Sequence, residues 1–188
     1  MPNFTKEAIK SSFLKLLNER PLKQITVKDI VEDCGINRNS FYYHFSDIPS
    51  LIEEIVMGEA NRVIDEYPSI DSVESMLNAS MEFARANKRA VMHIYNSANR
   101  AVYEQYLWQV CERIVSVYLE KLTEGRSISD SDRKTVVNFY KCVCFGLVNG
   151  WVGRGMPKEA EAEMQRICEL QAGMVEEMIA RCTQDAAQ

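Results

Sequence analysis

Apolar side chains recur along this chain at the spacing of an α-helix, and no stretch shows the strict alternation of a β-strand. One stripe near the start is formed by Ile9, Phe13, Leu16 and Leu17. The five prolines all fall where a helix is expected to begin or end, so helix interiors are free of breakers. The pattern predicts an all-α fold of about nine helices: roughly 4–19, two short helices between 26 and 45, 47–66, 70–86, 88–95, 98–123, 130–152 and 158–183.

The run from Thr26 to Leu51 carries the strongest local signals for the end of one helix, a turn and the start of the next helix. Its first helix has an apolar stripe at i, i+3, i+4 and i+7, formed by Val27, Ile30, Val31 and Cys34. Thr26 is placed to cap this helix, Gly35 can take positive φ at its end, and Asn37 can cap the next one. This spacing predicts a helix-turn-helix.

The second helix of the pair has one apolar face and one hydrogen-bonding face. Phe41 and Phe45 are four residues apart and point inward, whereas Asn39 and Tyr43 lie on the opposite side. Arg and Asn are the side chains that pair bidentately with guanine and adenine, so Arg38 and Asn39 are the candidate base readers. Hydroxyl and imidazole groups suit phosphate oxygens, and the candidates for that role are Ser40, Tyr42, Tyr43 and His44.

A second interpretation of these residues stays open at this level. Tyrosines on a short helix often belong to a core or an interface, with only the hydroxyl in water. Helix-turn-helix geometry also occurs in helical proteins that never bind DNA. The spacing alone therefore favours DNA binding without excluding a structural role.

The same run resembles the DNA-binding domain of the TetR/AcrR (tetracycline-repressor) family of bacterial transcription regulators. The matching positions are Thr26, Ile30, Val31, Gly35, Ile36, Phe41, Tyr42, Tyr43, His44, Phe45 and Leu51. The resemblance implies a nine-helix fold and a DNA-facing surface formed by Thr26, Lys28, Arg38, Asn39, Ser40, Tyr42, Tyr43 and His44. At one position the chain departs from the family, because Ile48 followed by Pro49 stands where relatives usually carry a phosphate-binding Lys. We therefore expect a lower salt dependence than a Lys-bearing relative would have.

The charge distribution fits a DNA-binding N-terminus. The whole chain has a formal charge of −5, yet residues 1–46 hold seven Lys or Arg and five Asp or Glu, a net +2. The remaining residues carry −7. Positive potential is thus concentrated where DNA would bind, and the acidic remainder limits indiscriminate adhesion.

The sequence suggests neither export, membrane insertion nor a bound cofactor. The N-terminus lacks the basic and apolar regions of a signal peptide, and no apolar run approaches the length of a membrane span, so we expect a cytoplasmic protein. The six cysteines lack C-x-x-C spacing and only two histidines are present, so we predict no metal site and reduced, buried thiols. Without a metal cluster, a phosphate-binding glycine loop or a nucleophile elbow, we predict that the protein is not an enzyme.

Two broad apolar stripes near the C-terminus need a surface to pack against. They can be buried within their own domain, or they can meet a second subunit. The resemblance implies a four-helix homodimer interface, for which the candidates are Val143, Leu147, Trp151, Met164, Cys168, Gln171, Val175 and Met178. A two-fold dimer would place two helix-turn-helix segments on a palindromic operator. The half-sites would then lie about 34 to 36 Å apart, which is one turn of DNA, or a multiple of that distance.

The middle of the chain is rich in Met and aromatic residues, which make adaptable apolar walls. The resemblance implies an effector pocket there, with Met76, Phe83, Met92, Tyr95, Tyr103, Tyr106, Phe139 and Tyr140 as candidate lining. His93, among apolar neighbours, is expected to be a structural imidazole. We predict a DNA-binding domain at 1–48 and a helical effector-binding and dimerisation domain at 49–188.

Together these features predict a homodimeric, sequence-specific regulator of transcription that binds double-stranded DNA. The implied mechanism is a repressor released by a small apolar or amphipathic effector. The alternative is a TetR-like accessory or structural protein that acts through protein contacts, and the acidic total and Ile48 leave it open.

Overall fold

The fold is all-α, as predicted. In a computed structural model that describes residues 2–66, 81–82, 84–97 and 100–185, no residue forms a strand. The α-helices whose bounds lie within these ranges are α1 (Pro2–Glu19), α2 (Val27–Asp33), α3 (Arg38–His44), α4 (Ile48–Glu66), α5 (Lys88–Tyr95), α6 (Arg100–Leu122), α7 (Asp130–Gly153), α8 (Ala160–Gln171) and α9 (Met174–Asp185). One 3-10 turn, Leu22–Gln24, joins α1 to α2.

Two predicted helices need comment. The one expected at 70–86 lies mostly outside the described residues, although 81–82 and 84–86 are helical. The single helix expected at 158–183 is wrong, because the chain breaks between α8 and α9. Ala172 leaves the helical region with ψ of 128°, and Gly173 has φ of +82°, a conformation that glycine adopts without a Cβ clash. The apolar stripe continues across the break, which is why periodicity alone missed it.

By compactness the chain divides into two units. The first contains Met1–Glu59 and Glu82–Tyr106, and the second contains Ala60–Met81 and Leu107–Gln188. Most of α4 and the start of α6 thus pack with the N-terminal helices. This division describes packing, and the functional boundary at residue 48 stays a prediction.

The core of the first unit is built by the inward faces of the three N-terminal helices and α4. Its largest fully buried side chains are Phe13, Phe41, Ile9, Leu17, Ile30 and Leu51. Ala90 of α5 and Tyr106 of α6 belong to the same cluster. The helix-turn-helix is therefore one part of a larger packed body.

The core of the second unit joins α6, α7 and α9. Its buried members are Cys111, Val115, Tyr118, Leu119, Val136, Tyr140, Cys144, Val175 and Ile179. Beside this cluster, Trp108 stacks on Phe145 with ring centroids 4.2 Å apart. Lys141 lies 5.5 Å from the centroid of the Trp108 ring and also pairs with Glu112.

The six cysteines are free thiols, but they are not all buried as expected. Burial raises the pKa of Cys111, and it raises the pKa of Cys144 to about 11. Cys142, two residues before Cys144, is exposed because helical geometry turns it to the other side of α7. Within the described ranges, no three His, Cys, Asp or Glu side chains are grouped as a metal ion would require. None of the helices seen there is long and apolar enough to cross a bilayer.

Candidate nucleic-acid interface

The first helix of the pair begins in a reciprocal cap. The Thr26 hydroxyl accepts a hydrogen bond from the Asp29 backbone N–H, and the Thr26 N–H donates to the Asp29 carboxylate at 2.8 Å. Arg20, the residue that follows α1, adds an ion pair to the same carboxylate at 3.1 Å. The hydrogen bonds from Thr26, with the Arg20 guanidinium beside them, lower the pKa of the Asp29 carboxyl to about 2.

The turn between α2 and α3 has the geometry that its sequence predicted. Gly35 has φ of +70°, and the Ile36 N–H donates to the Val31 carbonyl at 3.0 Å, which closes the end of α2. Asn37 then caps α3, since its side-chain oxygen accepts from the Ser40 N–H at 2.8 Å. Both ends of the turn are therefore fixed by local hydrogen bonds.

The α3 helix buries its aromatic face and exposes its polar one. Phe41 has no exposed surface and Phe45 is buried beside it. On the outer face Arg38 and Asn39 are exposed, and Tyr42 and Tyr43 are 55% and 80% exposed. Tyrosines this open are not core residues in the single chain.

Ring contacts orient the exposed aromatic residues. Tyr42 meets the buried Phe41 ring edge-on at 5.5 Å, and Tyr43 meets His44 edge-on at 5.0 Å. His44 itself is half-buried. The outer face of α3 thus presents pre-oriented hydroxyl and amide groups above a rigid core.

Two of the residues predicted to face DNA already have partners within the protein. The Thr26 hydroxyl also donates to the Asp29 carboxylate, in addition to its role as a cap acceptor. The Ser40 hydroxyl donates to Asn37 at 3.1 Å. Their first role is to hold helix ends, and the donors that face outward belong to Arg38, Asn39 and the tyrosines.

Ion pairs neutralise most of the positive charge of residues 1–46. Five of the seven cations there lie within 4.0 Å of a carboxylate: Lys6 and Lys10 with Glu54, Lys15 with Asp33, Arg20 with Asp29 and Lys28 with Glu32. The Lys28 pair is the loosest, at 3.7 Å between two well-exposed side chains. Among the residues that the structure describes, Lys23 and Arg38 are the members of this set without an ion pair.

The start of α4 is capped by Asp47. Its carboxylate accepts from the Ser50 N–H at 2.8 Å, and its own N–H donates to the Ser50 hydroxyl at 3.2 Å. The cap therefore puts a negative charge beside Ile48, the position at which the family resemblance implies a Lys. Any phosphate near this helix end would meet that charge.

Two side chains from α5 and α6 bind backbone carbonyls of the N-terminal helices. The Tyr106 hydroxyl donates to the Pro49 carbonyl at 2.6 Å, in the first turn of α4. His93 Nδ1 lies 2.7 Å from the Leu17 carbonyl, which can only accept, so Nδ1 carries the proton in this contact. The structural role expected of His93 is therefore borne out.

The candidate effector residues that lie within the described ranges fall in both units. In the first unit, Tyr95 contacts Tyr103 edge-on at 5.1 Å and Arg100 lies 4.6 Å from the Tyr95 ring centroid. Met92 is half-buried there, and Tyr106 belongs to the core.

The remaining effector candidates are more dispersed. In the second unit Tyr140 is a core residue, whereas the neighbouring Phe139 is 51% exposed. Met76 and Phe83 lie outside the described residues. The effector pocket stays a prediction.

The candidate residues for the dimer interface differ in how much of their surface is exposed. Trp151 has none exposed, and its indole N–H donates to the Pro157 carbonyl at 3.2 Å. Met164 and Val175 are also buried within their own chain. The half-buried candidates are Val143, Leu147, Cys168, Gln171 and Met178. Leu170 and Met174, the large exposed apolar residues on either side of the break, were not among the candidates.

Comparison with known proteins identifies two matching family models. One, described as "Bacterial regulatory proteins, tetR family", matches residues 14–55. The other, described as "Transcriptional regulator C-terminal region", matches residues 71–173, more than half of the chain. The first covers the helix-turn-helix, and the second covers most of the second unit.

Similar individual proteins carry related descriptions. The chain is 30% identical over 122 residues to the HTH-type transcriptional repressor KstR2 of Rhodococcus jostii, covering 60% of this chain and 55% of that protein. It is 29% identical over 77 residues to the uncharacterized HTH-type transcriptional regulator YxbF of Bacillus subtilis, covering 39% and 20%. The chain thus spans about half of the first protein and a fifth of the second. Among solved structures, the dihydroxyacetone kinase operon activator DhaS shares the fold, with a TM-score of 0.68, 16% identity, and coverage of 90% and 97%.

Proposed function

The chain belongs to the TetR family of bacterial regulatory proteins, and from this premise we propose that it is a sequence-specific DNA-binding regulator of transcription. It acts as a homodimer on a palindromic operator, and its α3 helices read the major groove. The Rhodococcus relative is named a repressor, which favours repression as its mode of action.

The outer face of α3 is the observation that carries this proposal. Arg38 and Asn39 stand at the N-terminal end of the helix, where recognition helices read base edges, and both are exposed. Tyr42 and Tyr43 extend the same polar surface. A helix this short is held by its buried phenylalanines and its cap, so it presents these groups without needing to refold on binding.

Fluorescence anisotropy with the full-length protein tests the proposal. The probes are labelled duplexes from the promoter of its own gene and of the neighbouring operon, with scrambled duplexes of equal length as controls. We expect tighter binding to one promoter than to its scramble, and weaker binding at higher salt. Equal or undetectable binding to all duplexes would contradict the proposal.

Replacing Arg38 distinguishes a DNA-binding regulator from an accessory protein that binds only other proteins. As a base reader, Arg38→Ala should weaken operator binding by about 1–3 kcal/mol and relax the preference at one base pair. Arg126→Ala removes an exposed arginine of the second unit and should leave affinity unchanged. An accessory protein that binds only other proteins would give the same result for both variants.

We further propose that a small apolar or amphipathic effector binds the protein and releases it from the operator. An effector that favours one dimer geometry over another lowers operator affinity only through its differential affinity for the two states. Thermal-shift screening with fatty acids and hydrophobic amines should identify compounds that raise the melting temperature. A true effector must also displace the operator in the anisotropy assay, and a stabilising compound that leaves operator binding intact is not one.

A further inference from the structure

Lys23 stands apart from the cations that surround it in sequence. Lys15 of α1 and Arg20, the residue after α1, each pair with an acid of α2, and Lys28, which follows Lys23, pairs loosely with Glu32. Lys23 is exposed and, within the described ranges, has no carboxylate partner. Its charge is therefore available to an external anion without first breaking an ion pair.

The turn that carries Lys23 is fixed at both ends. The Gln24 N–H donates to the Pro21 carbonyl at 2.9 Å, and the Ile25 N–H donates to the Leu22 carbonyl at 3.0 Å. Pro21 restricts the backbone on entry, and the buried Ile25 anchors the exit in the core. Two backbone hydrogen bonds and a buried anchor therefore define the position of the Lys23 backbone.

This turn leads directly into the N-terminus of α2. Thr26, three residues after Lys23, caps that helix, and the first helix of a helix-turn-helix crosses the DNA backbone. The nearest acid that follows in sequence is Asp29, whose carboxylate is already bonded to Thr26 and Arg20. This carboxylate is thus occupied and does not compete for the Lys23 ammonium.

We propose that Lys23 binds a phosphate of the DNA backbone beside the N-terminus of α2, an inference that rests on the proposed function. The contact carries no sequence information, because a phosphate is the same at every base pair. It gives each subunit a cationic phosphate contact at the α1–α2 turn, in a chain whose α4 is capped by Asp47 and begins with Ile48 instead of a Lys.

Salt titration of DNA binding by full-length Lys23→Ala tests this contact. Each phosphate contact contributes about 0.9 to the slope of log K against log salt, so the slope should fall by about 0.9 for each bound subunit. Affinity should fall by about tenfold at low salt, equally for operator and scrambled duplex. Lys23→Arg keeps the charge and should retain the slope.

Lys15→Ala is the matched control. It removes the same charge from an exposed lysine of the same unit, but one that is paired with Asp33, so the slope should stay at the wild-type value. A Lys23→Ala slope equal to that of Lys15→Ala would overturn the contact while leaving DNA binding intact. Absence of wild-type binding to every duplex would instead contradict the proposed function and, with it, this inference. Circular dichroism of each variant checks that the helices are unchanged.

Discussion

The carboxylate of Asp29 links three parts of the DNA-binding region. It completes the cap of α2, holds the Thr26 backbone and hydroxyl, and pairs with Arg20 at the end of α1. An acid in the first turn also complements the positive end of the helix dipole. Substituting this side chain therefore affects both the start of α2 and its attachment to α1.

Asp29→Asn should produce a stability difference that depends on pH. The folded-state pKa is depressed from 3.8 to about 2, so the ionised carboxylate stabilises the fold at pH values above about 4. This contribution is lost as the pH falls through about 2, where the carboxyl is protonated in both states. Urea unfolding at several pH values should show wild type more stable than Asp29→Asn at neutral pH and the gap closing in acid. Asp65→Asn, at an exposed site on α4, serves as control, and a gap that stays constant with pH would refute the assignment.

At the scale of elements, helix ends decide where the chain turns. Gly35 ends α2, Asn37 begins α3, Asp47 begins α4 and Ser129 begins α7, each through local geometry or a side-chain cap. These signals lie within a few residues of the ends they define, so they could be predicted from sequence. The break at Gly173 could not, because apolar periodicity runs through it and a lone glycine inside a helical pattern is often tolerated.

Gly173→Ala should destabilise the protein by about 1 kcal/mol. Gly173 has φ of +82°, where a Cβ is strained even though the surrounding space is open. Gly58→Ala is the matched control, since Gly58 lies inside α4 with open space around the added methyl group and should stabilise by about 0.5–1 kcal/mol. Chemical unfolding measures the free energy of unfolding of both variants. A stabilised Gly173→Ala variant would mean that α8 and α9 join into one continuous helix.

At the scale of the whole molecule, the chain has two packed units whose limits differ from the predicted domain boundary. Residues 82–106 come more than thirty positions after the helix-turn-helix, yet they belong to the same packed unit. His93 hydrogen-bonds to the Leu17 carbonyl, and Tyr106 hydrogen-bonds to the Pro49 carbonyl. Such contacts join residues 76 and 57 positions apart. No local pattern encodes a pairing at that distance, which is why the sequence did not predict it.

The proposed dimer makes a prediction at the same scale. Leu147 on α7 is half-buried in the single chain, so Leu147→Glu should place a charge in the interface while leaving the fold of the chain intact. We expect a shift from dimer to monomer in size-exclusion chromatography with light scattering, and weaker operator binding. Asn138→Glu adds the same charge on the opposite face of α7, where Asn138 is exposed, and should remain dimeric. A monomeric Asn138→Glu or a dimeric Leu147→Glu would place the interface elsewhere.

The sequence by itself determined the all-α fold, most helix limits and the polar face of α3, because periodicity, caps and turn glycines act over a few residues. The tertiary structure alone decided which charges and apolar residues remain available. Lys6 pairs with Glu54, and Lys15 with Asp33, across long stretches of chain, so within the described residues Lys23 and Arg38 are the cations of the N-terminus that are left without an ion pair. Trp151 is likewise buried by its own subunit. Availability depends on neighbours in space, and those neighbours exist only once the chain has folded.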